Sequence, residues 1–131
     1  MKRTEPGMSP FWDYIGMQEL EMGDEYARLQ IGLAPELRNR NGEVPRGVMS
    51  ILLDSAIGSA VRSTLEEEQS SATVELHIHF FEPATGPYLI AKSSLSHRGH
   101  TLAVGQAEVF DATGSLAAAA TGTFIIFHPH K

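Results

Sequence analysis

Cysteine is absent from all 131 residues of the chain. Its absence excludes a disulfide framework, a cysteine nucleophile and a thiolate zinc site. The chain also lacks a cationic excess, since the formal net charge is −6 with the histidines neutral, and this argues against a general nucleic-acid-binding surface. No apolar run approaches the length of a membrane span, and the first residues lack the apolar core of a signal peptide. We therefore expect a cytoplasmic protein that binds neither nucleic acid nor membrane.

Motifs for several other kinds of site are also missing. No serine lies in a G-x-S-x-G pattern, which argues against a serine nucleophile at a strand-to-helix turn. Gly42, Gly47 and Gly58 do not have the spacing of a phosphate-binding loop. His77 and His79 have a spacing that can bind metal, but no further ligand follows at a recognisable interval. We therefore predict no metal site and no cofactor.

What the chain contains fits one compact α+β domain. Hydrophobic residues make up 42% and charged residues 20%, as in a globular domain with a core. Turn signals at Gly23-Asp24 and at residues 111–114 predict two β-hairpins, and one long helix is predicted over residues 47–65. The pattern predicts a single domain over residues 1–131, with residues 1–10 as a loose arm. One antiparallel sheet wrapped around the helix is the economical arrangement.

The predicted helix over residues 47–65 is apolar almost all round, which is typical of a buried helix. One carboxylate, Asp54, lies inside it. Burying a carboxylate is costly unless a partner pairs with it or a reaction uses it. Asp54 is therefore the candidate catalytic residue, as a nucleophile or as a base for water. The alternative is that Asp54 is satisfied in a contact between subunits.

The start of this helix offers hydrogen-bond donors. Pro45 suits a first helical turn, and the N–H groups of Arg46, Gly47 and Val48 are then free to polarise a carbonyl. Asp54 follows about 10 Å further along the axis. Reacting atoms must approach to roughly 3–3.5 Å, so one helix cannot bring both groups to one carbonyl. Two antiparallel copies can, which predicts a homodimer with composite sites.

The loop over residues 35–46 places Arg38, Arg40 and Arg46 together in an otherwise acidic chain. One interpretation is a solvated loop. The other is a site for an anionic ligand group beside the helix N-terminus, where free N–H groups favour negative charge. The sequence leaves both open.

Residues 73–81 alternate between apolar and polar side chains, which predicts a strand. The alternation places Val74 and every second residue after it against the helix. Thr73 is then expected on the opposite face.

Four stretches resemble a known family in their order and spacing. Residues 39–47, Asn-Arg-Asn-Gly-Glu-Val-Pro-Arg-Gly, and residues 52–58, Leu-Leu-Asp-Ser-Ala-Ile-Gly, resemble the signature of hotdog-fold acyl-CoA thioesterases of the PaaI-like, phenylacetate-pathway type. Residues 73–83 resemble the strand that follows the helix in that family. Residues 98–103 resemble its turn near coenzyme A. The resemblance covers most of the chain from residue 11 onward.

The resemblance implies a hotdog fold and hydrolysis of an acyl-CoA thioester in a dimer, or a dimer of dimers, with sites between subunits. Asp54 matches the carboxylate that attacks the thioester or activates water, and Gly47 matches the second glycine of the signature. Asn39 matches the asparagine that helps place the substrate, and Thr73 a hydroxyl position near the carboxylate. The positions expected to contact substrate and coenzyme A are Arg46, Val48, Ser55, Arg98, Gly99, His100 and Thr101.

Two positions depart from the family pattern. Pro45 stands where the family has histidine, and Arg46 stands where it has the first glycine. The contribution of that histidine is lost, and the Arg46 side chain either supplies a further donor or obstructs the site. This departure keeps a second function open, namely a hotdog protein that holds an acyl-CoA without hydrolysing it.

A third reaction, hydration of a CoA-bound enoyl group, needs a histidine with a carboxylate in the site. The sequence does not place His77, His79 or His100 there. The arginines and the negative net charge favour coenzyme A over an acidic acyl carrier protein as the thiol carrier.

Overall fold

The computed structural model describes residues 9–129, which form a six-stranded antiparallel sheet packed against a long helix. In the sheet the strands lie in the order Met17–Gly23, Tyr26–Gly32, Tyr88–Arg98, Leu102–Asp111, Leu116–Phe127 and Ser70–Phe80. This architecture confirms the predicted sheet around one central helix. The elements are α1 (Pro10–Ile15), β1 (Met17–Gly23), β2 (Tyr26–Gly32), a short 3-10 helix (Pro35–Leu37), α2 (Arg46–Arg62), β3 (Ser70–Phe80), β4 (Tyr88–Arg98), β5 (Leu102–Asp111) and β6 (Leu116–Phe127).

The N-terminal arm predicted over residues 1–10 is tested only at its end, because residues 1–8 lie outside the described residues. Ser9 caps α1, since its Oγ accepts a hydrogen bond of 3.4 Å from the backbone N–H of Trp12. Pro10 is the first residue of the helix, where a missing N–H is tolerated. Ser9 and Pro10 therefore belong to a capped helix and not to a loose arm.

Helix α2 packs against all six strands and ends at Arg62, short of the predicted end. The prediction that this helix is buried all round is wrong, because Asp54, Ser55 and Gly58 are only partly covered. Apart from Asp54, the serine and glycine residues of this face are uncharged, so the sequence does not distinguish it from the opposite face, which the sheet covers. The buried side of the helix carries Met49, Leu52, Leu53, Ala56, Ile57, Ser59, Ala60 and Val61. Neither helix within residues 9–129 is both long and apolar enough to cross a membrane.

Two paired glycines let the middle of α2 approach the sheet closely. Gly105 of β5 and Gly122 of β6 are register partners. A Cβ on Gly105 would lie 2.9 Å from Cγ2 of Ile57 and 3.0 Å from the carbonyl oxygen of Ser94, and a Cβ on Gly122 would lie 3.2 Å from Cδ1 of Ile57. The absence of side chains at both positions therefore sets how deeply the helix that carries Asp54 is seated.

We expect Gly105→Ala to lower the free energy of unfolding by about 1–3 kcal/mol, the usual cost of adding a methyl group to a filled core. Urea denaturation followed by circular dichroism measures this change. Gly32→Ala is the control, because a Cβ on Gly32 meets no atom within 4 Å. Equal unfolding midpoints for the two variants would contradict the proposed close packing.

The β5–β6 hairpin makes stability depend on pH through Asp111. Its Oδ1 accepts hydrogen bonds from the hydroxyl of Thr113 at 2.6 Å and from the backbone N–H of Ser115 at 3.0 Å. The Thr113 hydroxyl and the backbone N–H groups together hold the pKa of Asp111 below its ordinary value. Because the folded pKa is depressed, this stabilisation is present above the unfolded pKa and is lost as the pH falls through the folded pKa. We expect Asp111→Asn to lower the urea midpoint at neutral pH, and this difference from wild type to shrink as the pH falls below about 3.9, the ordinary pKa of an aspartate.

Candidate active site

A bulge in β3 brings Thr73 and Asp54 together. The pairing of β3 with β6 shifts register between Thr73 and Glu75, so Val74 is an extra residue in the strand. Thr73 turns toward α2, and its Oγ1 donates a hydrogen bond of 2.7 Å to Oδ1 of Asp54, while Val74 is 59% exposed. The predicted facing of Thr73 and Val74 is therefore wrong, because the bulge reverses the alternation before residue 75. The resemblance implied that Thr73 lies near this carboxylate, and the hydrogen bond shows that it does.

A groove of about 430 Å³ opens beside Asp54. Residues of α2 form one wall, and the first residues of β3 form the other. Asp54 is partly exposed in it, so the carboxylate is accessible to a ligand. The groove is lined in part by Trp12, Asp54, Ser55, Gly58, Ser59, Arg62, Gln69, Thr73 and Phe124.

The start of α2 lines a second pocket, of about 310 Å³. The backbone N–H groups of Arg46 and Gly47 form no hydrogen bond with the described part of the chain. The N–H of Val48 donates to the carbonyl of Pro45 at 3.0 Å, so the prediction of a third free donor is wrong; the helix begins with a tight 3-10-type turn. A Cβ on Gly47 would meet no atom within 4 Å, which leaves this donor open to a ligand.

The side chains of Asn39 and Arg46 flank this second pocket. Oδ1 of Asn39 accepts hydrogen bonds of 3.0 Å from the backbone N–H groups of Asn41 and Glu43, so its Nδ2 is the group that remains for a substrate. The Arg46 guanidinium lies 5.7 Å from the centre of the Phe80 ring, within the range of a cation–π contact. Arg46 is thus held over the end of β3.

Asp54 and the helix start therefore lie in two different pockets of one chain. The separation along the axis from Gly47 to Asp54 is about 10 Å. The structure thus agrees with the argument that a single chain cannot present both groups to one carbonyl.

The arginine cluster divides between two roles. The Arg38 guanidinium donates to the backbone carbonyls of Leu33, Gly42 and Gly86. Arg38 therefore stabilises the conformation of its loop, while Arg46 lines the pocket at the start of α2.

Arg98 also has internal partners. Its Nε donates to Oγ1 of Thr64 at 2.8 Å, and Nη1 and Nη2 donate to the carbonyls of Gly99 and Thr64. Arg98 therefore ties the end of β4 to the segment that follows α2. A contact with coenzyme A would have to be made beside these bonds.

The turn after Arg98 lies next to one end of the Asp54 groove. The carbonyl of Thr101 accepts a hydrogen bond of 2.8 Å from the N–H of Ile126. The ring of His100 stacks on His128 with centroids 4.1 Å apart, and Nδ1 of His128 lies 3.0 Å from Nε2 of Gln69. Gln69 lines the groove, so the turn is connected to it through His128 and Gln69.

His77 lies on β3 with Nε2 3.4 Å from Oε1 of Glu75. Within residues 9–129, no group of three or more His, Cys, Asp or Glu side chains is placed to hold a metal ion. The structure therefore gives no geometric support for a metal centre in that range.

Sequence reasoning missed several residues of the groove. Ser59 and Arg62 line it together with Trp12 of α1, and the buried Glu19 forms an ion pair with Arg62. The spacing of Asp54, Gly58 and Arg62 places all three on one face of a helix, so helical periodicity was a signal for Arg62. The contributions of Glu19 and Trp12 depend on tertiary contacts and have no such signal.

If Asp54 acts on an acyl-CoA thioester, as the resemblance implies, Thr73→Val should lower kcat by about tenfold, because a hydrogen bond to a charged group is worth roughly 1.5–3 kcal/mol and orients that group. Steady-state rates with an acyl-CoA measure the change. Thr121→Val on β6 is the control, since Thr121 lies outside the Asp54 groove. Equal kcat values for Thr73→Val and wild type would contradict a role for this hydroxyl.

The structure defines the general class of the protein. An antiparallel sheet packed around one helix, with a carboxylate of that helix exposed in a groove, is the hotdog architecture that the resemblance implied. The sequence pattern of the thioesterase superfamily matches residues 42–118. The chain belongs to this superfamily, and the predicted family and fold are confirmed.

Individual relatives agree with this assignment. A protein of Halobacterium salinarum, named provisionally as an esterase, is 31% identical over 125 residues that cover 87% of this chain and 82% of that protein. A thioesterase-family structure from Silicibacter pomeroyi has 27% identity and a TM-score of 0.88, covering 92% of this chain and 91% of that one. A Bacillus halodurans protein solved with CoA has 33% identity and a TM-score of 0.74, covering 76% and 66% of the two chains. Membership supports a hydrolase of the thioesterase and esterase type.

Proposed function

We propose that this protein hydrolyses acyl-CoA thioesters, with Asp54 as the catalytic carboxylate. The observation that carries the proposal is the hydrogen bond of 2.7 Å from Thr73 to Oδ1 of Asp54 in an open groove. This bond orients the carboxylate and leaves Oδ2 for the reaction. The carboxylate then either attacks the thioester carbon, expelling CoA thiolate and forming a mixed anhydride that water hydrolyses, or removes a proton from a water that attacks this carbon and expels the thiolate. In both routes the thiolate takes up a proton, and the free acid is released.

We further propose that each site is composed of two subunits. Strand β3 is an edge strand of 11 residues, and an exposed edge of that length is a template for pairing with another chain. Two copies related by a two-fold axis would place their α2 helices antiparallel. The N–H groups of Arg46 and Gly47 of one copy would then face Asp54 of the other, and they would bind the thioester oxygen as negative charge develops on it.

The remaining expected residues receive roles consistent with their places. Asn39 Nδ2 would orient the acyl group beside the helix start, and Ser55 would contact it in the groove. Arg46 and Val48 would lie along the thioester and pantetheine. The turn formed by Arg98, Gly99, His100 and Thr101 would contact the coenzyme A moiety at the end of the groove. The solved CoA complex of the Bacillus halodurans relative supports coenzyme A as the carrier.

The experiment is to measure free-thiol release from a panel of short, long and aromatic acyl-CoAs. We expect saturable hydrolysis of at least one member. Saturable binding without thiol release would overturn the thioesterase proposal and support an acyl-CoA-binding protein, the function that Pro45 and Arg46 keep open. An acyl carrier protein with the same acyl group tests the choice of carrier.

A further inference from the structure

Two side-chain contacts show where the two halves of the proposed site lie along β3. Thr73 donates a hydrogen bond of 2.7 Å to Oδ1 of Asp54, so the carboxylate is level with Thr73. The Arg46 guanidinium lies 5.7 Å from the centre of the Phe80 ring, so the helix start is level with Phe80. If the helix start of one subunit faces Asp54 of the partner subunit, Phe80 lies opposite Thr73 of the partner subunit in the paired strands.

The face of β3 that points away from α2 carries Glu75, His77 and His79. Nε2 of His77 lies 3.4 Å from Oε1 of Glu75, and these side chains are 66% and 59% exposed. His79 follows His77 by two residues, on the same face, and is also exposed. Leu76 and Ile78 project to the opposite face and pack against the core. The exposed face of this edge strand therefore presents two imidazoles and a carboxylate at intervals of two residues.

The geometry of antiparallel strands determines the other pairs. Directly opposite residues project to the same face of a sheet, and across the bulge β6 advances by one residue while β3 advances by two. With the same step on the free edge, the next pair after Phe80 is His79 opposite Glu75 of the partner subunit. Two residues further on, His77 lies opposite His77 of the partner subunit, on the two-fold axis. Two copies of the exposed face thereby meet along the paired strands.

From this juxtaposition we propose that the paired β3 strands bind two divalent transition-metal ions, such as Zn²⁺, in two equivalent sites. Each ion is bound by His77 and His79 of one subunit and by Glu75 of the partner subunit. Opposite Cβ atoms in an antiparallel pair lie about 4.5–5.5 Å apart, and imidazole and carboxylate groups bind Zn²⁺ at about 2.0–2.2 Å. The three side chains therefore converge on one ion, and a water completes a tetrahedral arrangement.

This proposal rests on the pairing of subunits in the proposed function and adds a site that one chain does not contain. Within residues 9–129, no group of three or more His, Cys, Asp or Glu side chains is placed to hold a metal ion. The partner supplies the third ligand, so the spacing within one sequence predicted no metal site. The ions lie on the sheet face that points away from α2. They hold the two β3 strands together and take no part in hydrolysis at Asp54.

Single cysteines test the register, because the wild-type chain has no cysteine. His77→Cys places two thiols directly opposite each other, with Cα atoms about 4.5–5.5 Å apart, within the range of a disulfide. Glu75→Cys is the matched control, since its two thiols lie about 14 Å apart along the strands. After mild oxidation with glutathione disulfide, we expect a cross-linked dimer on non-reducing gels only for His77→Cys.

Calorimetric titration of the untagged protein with zinc chloride tests the metal sites. We expect one Zn²⁺ per chain and a melting temperature that rises with zinc, because binding to the folded dimer stabilises it. His79→Ala and Glu75→Gln should each weaken binding by about tenfold or more, since removal of a group that only supports a metal ligand already costs about that much. His97→Ala, on β4, is the control and should bind zinc as wild type does.

The possible failures are distinguishable. A dimer in which His77→Cys forms no disulfide, or Glu75→Cys forms one, would overturn the register and the metal sites with it. A wild-type dimer without saturable zinc binding, or with binding that neither His79→Ala nor Glu75→Gln weakens, would overturn the metal sites alone. Thiol release is measured separately, so its absence beside a positive cysteine and zinc result would overturn the thioesterase function and leave the metal sites standing.

Discussion

Asp54→Asn is expected to lower kcat for acyl-CoA hydrolysis by about 10²-fold or more, the range found when a positioned acid–base group is removed. Asparagine has the shape of aspartate and keeps an oxygen that can accept the Thr73 hydrogen bond. Its amide can neither attack the thioester carbon nor accept a proton from water. The loss should therefore fall on kcat, while the affinity for acyl-CoA changes little. Thiol release at saturating substrate measures the first, and calorimetric titration measures the second.

The control for this variant is Asp24→Asn. Asp24 lies in the β1–β2 turn with a φ of 52°, a conformation that asparagine adopts readily, and it is not among the residues that line the groove. Circular dichroism should show the same fold for both variants. Full activity of Asp54→Asn would mean that a different group carries the reaction and would contradict the assignment of Asp54.

Mixing two inactive variants is expected to restore about one quarter of wild-type activity. Asp54→Asn removes the carboxylate, and Gly47→Leu places a bulky side chain beside the N–H donors. A Cβ on Gly47 meets no atom within 4 Å in its own chain, so the leucine variant should fold. If each site takes Asp54 from one subunit and the helix start from its partner, a mixed dimer has one site with both groups intact.

The size of this recovery follows from counting sites. Random exchange of subunits makes about half of the dimers mixed, and one of their two sites is intact, so about one quarter of wild-type activity returns. Subunits are exchanged by mild denaturation and refolding, with each variant alone as the control. A mixture as inactive as its parents would contradict composite sites, provided that differently tagged subunits co-purify.

The sequence was sufficient for much of the fold because its signals are local. Alternation of apolar and polar residues marked the strands, and the turn residues marked both hairpins. The absence of charge on most of residues 47–62 marked the central helix and made Asp54 stand out. Gly47 and Asp54 are seven residues apart, which is about 10 Å along a helix. The sequence alone therefore indicated that the two halves of the proposed site lie apart in one chain.

The errors arose where a non-local contact or one irregular residue decided the outcome. The bulge at Val74 turned Thr73 toward Asp54, and a strict period of two residues cannot include an inserted one. The tight first turn of α2 used the N–H of Val48. The Arg38 guanidinium donates hydrogen bonds to backbone carbonyls, whereas the charge pattern had left it available for an anion.

The sequence by itself determined the central helix, the order of the strands along the chain, the candidate carboxylate and the resemblance that the family assignment confirmed. Only the tertiary structure decided which groups surround that carboxylate. Thr73 comes from a strand after the helix, while Trp12 and Glu19 come from before it. Side chains so distant along the chain leave no periodic signal in the sequence, because their proximity depends on how the helix is seated on the sheet.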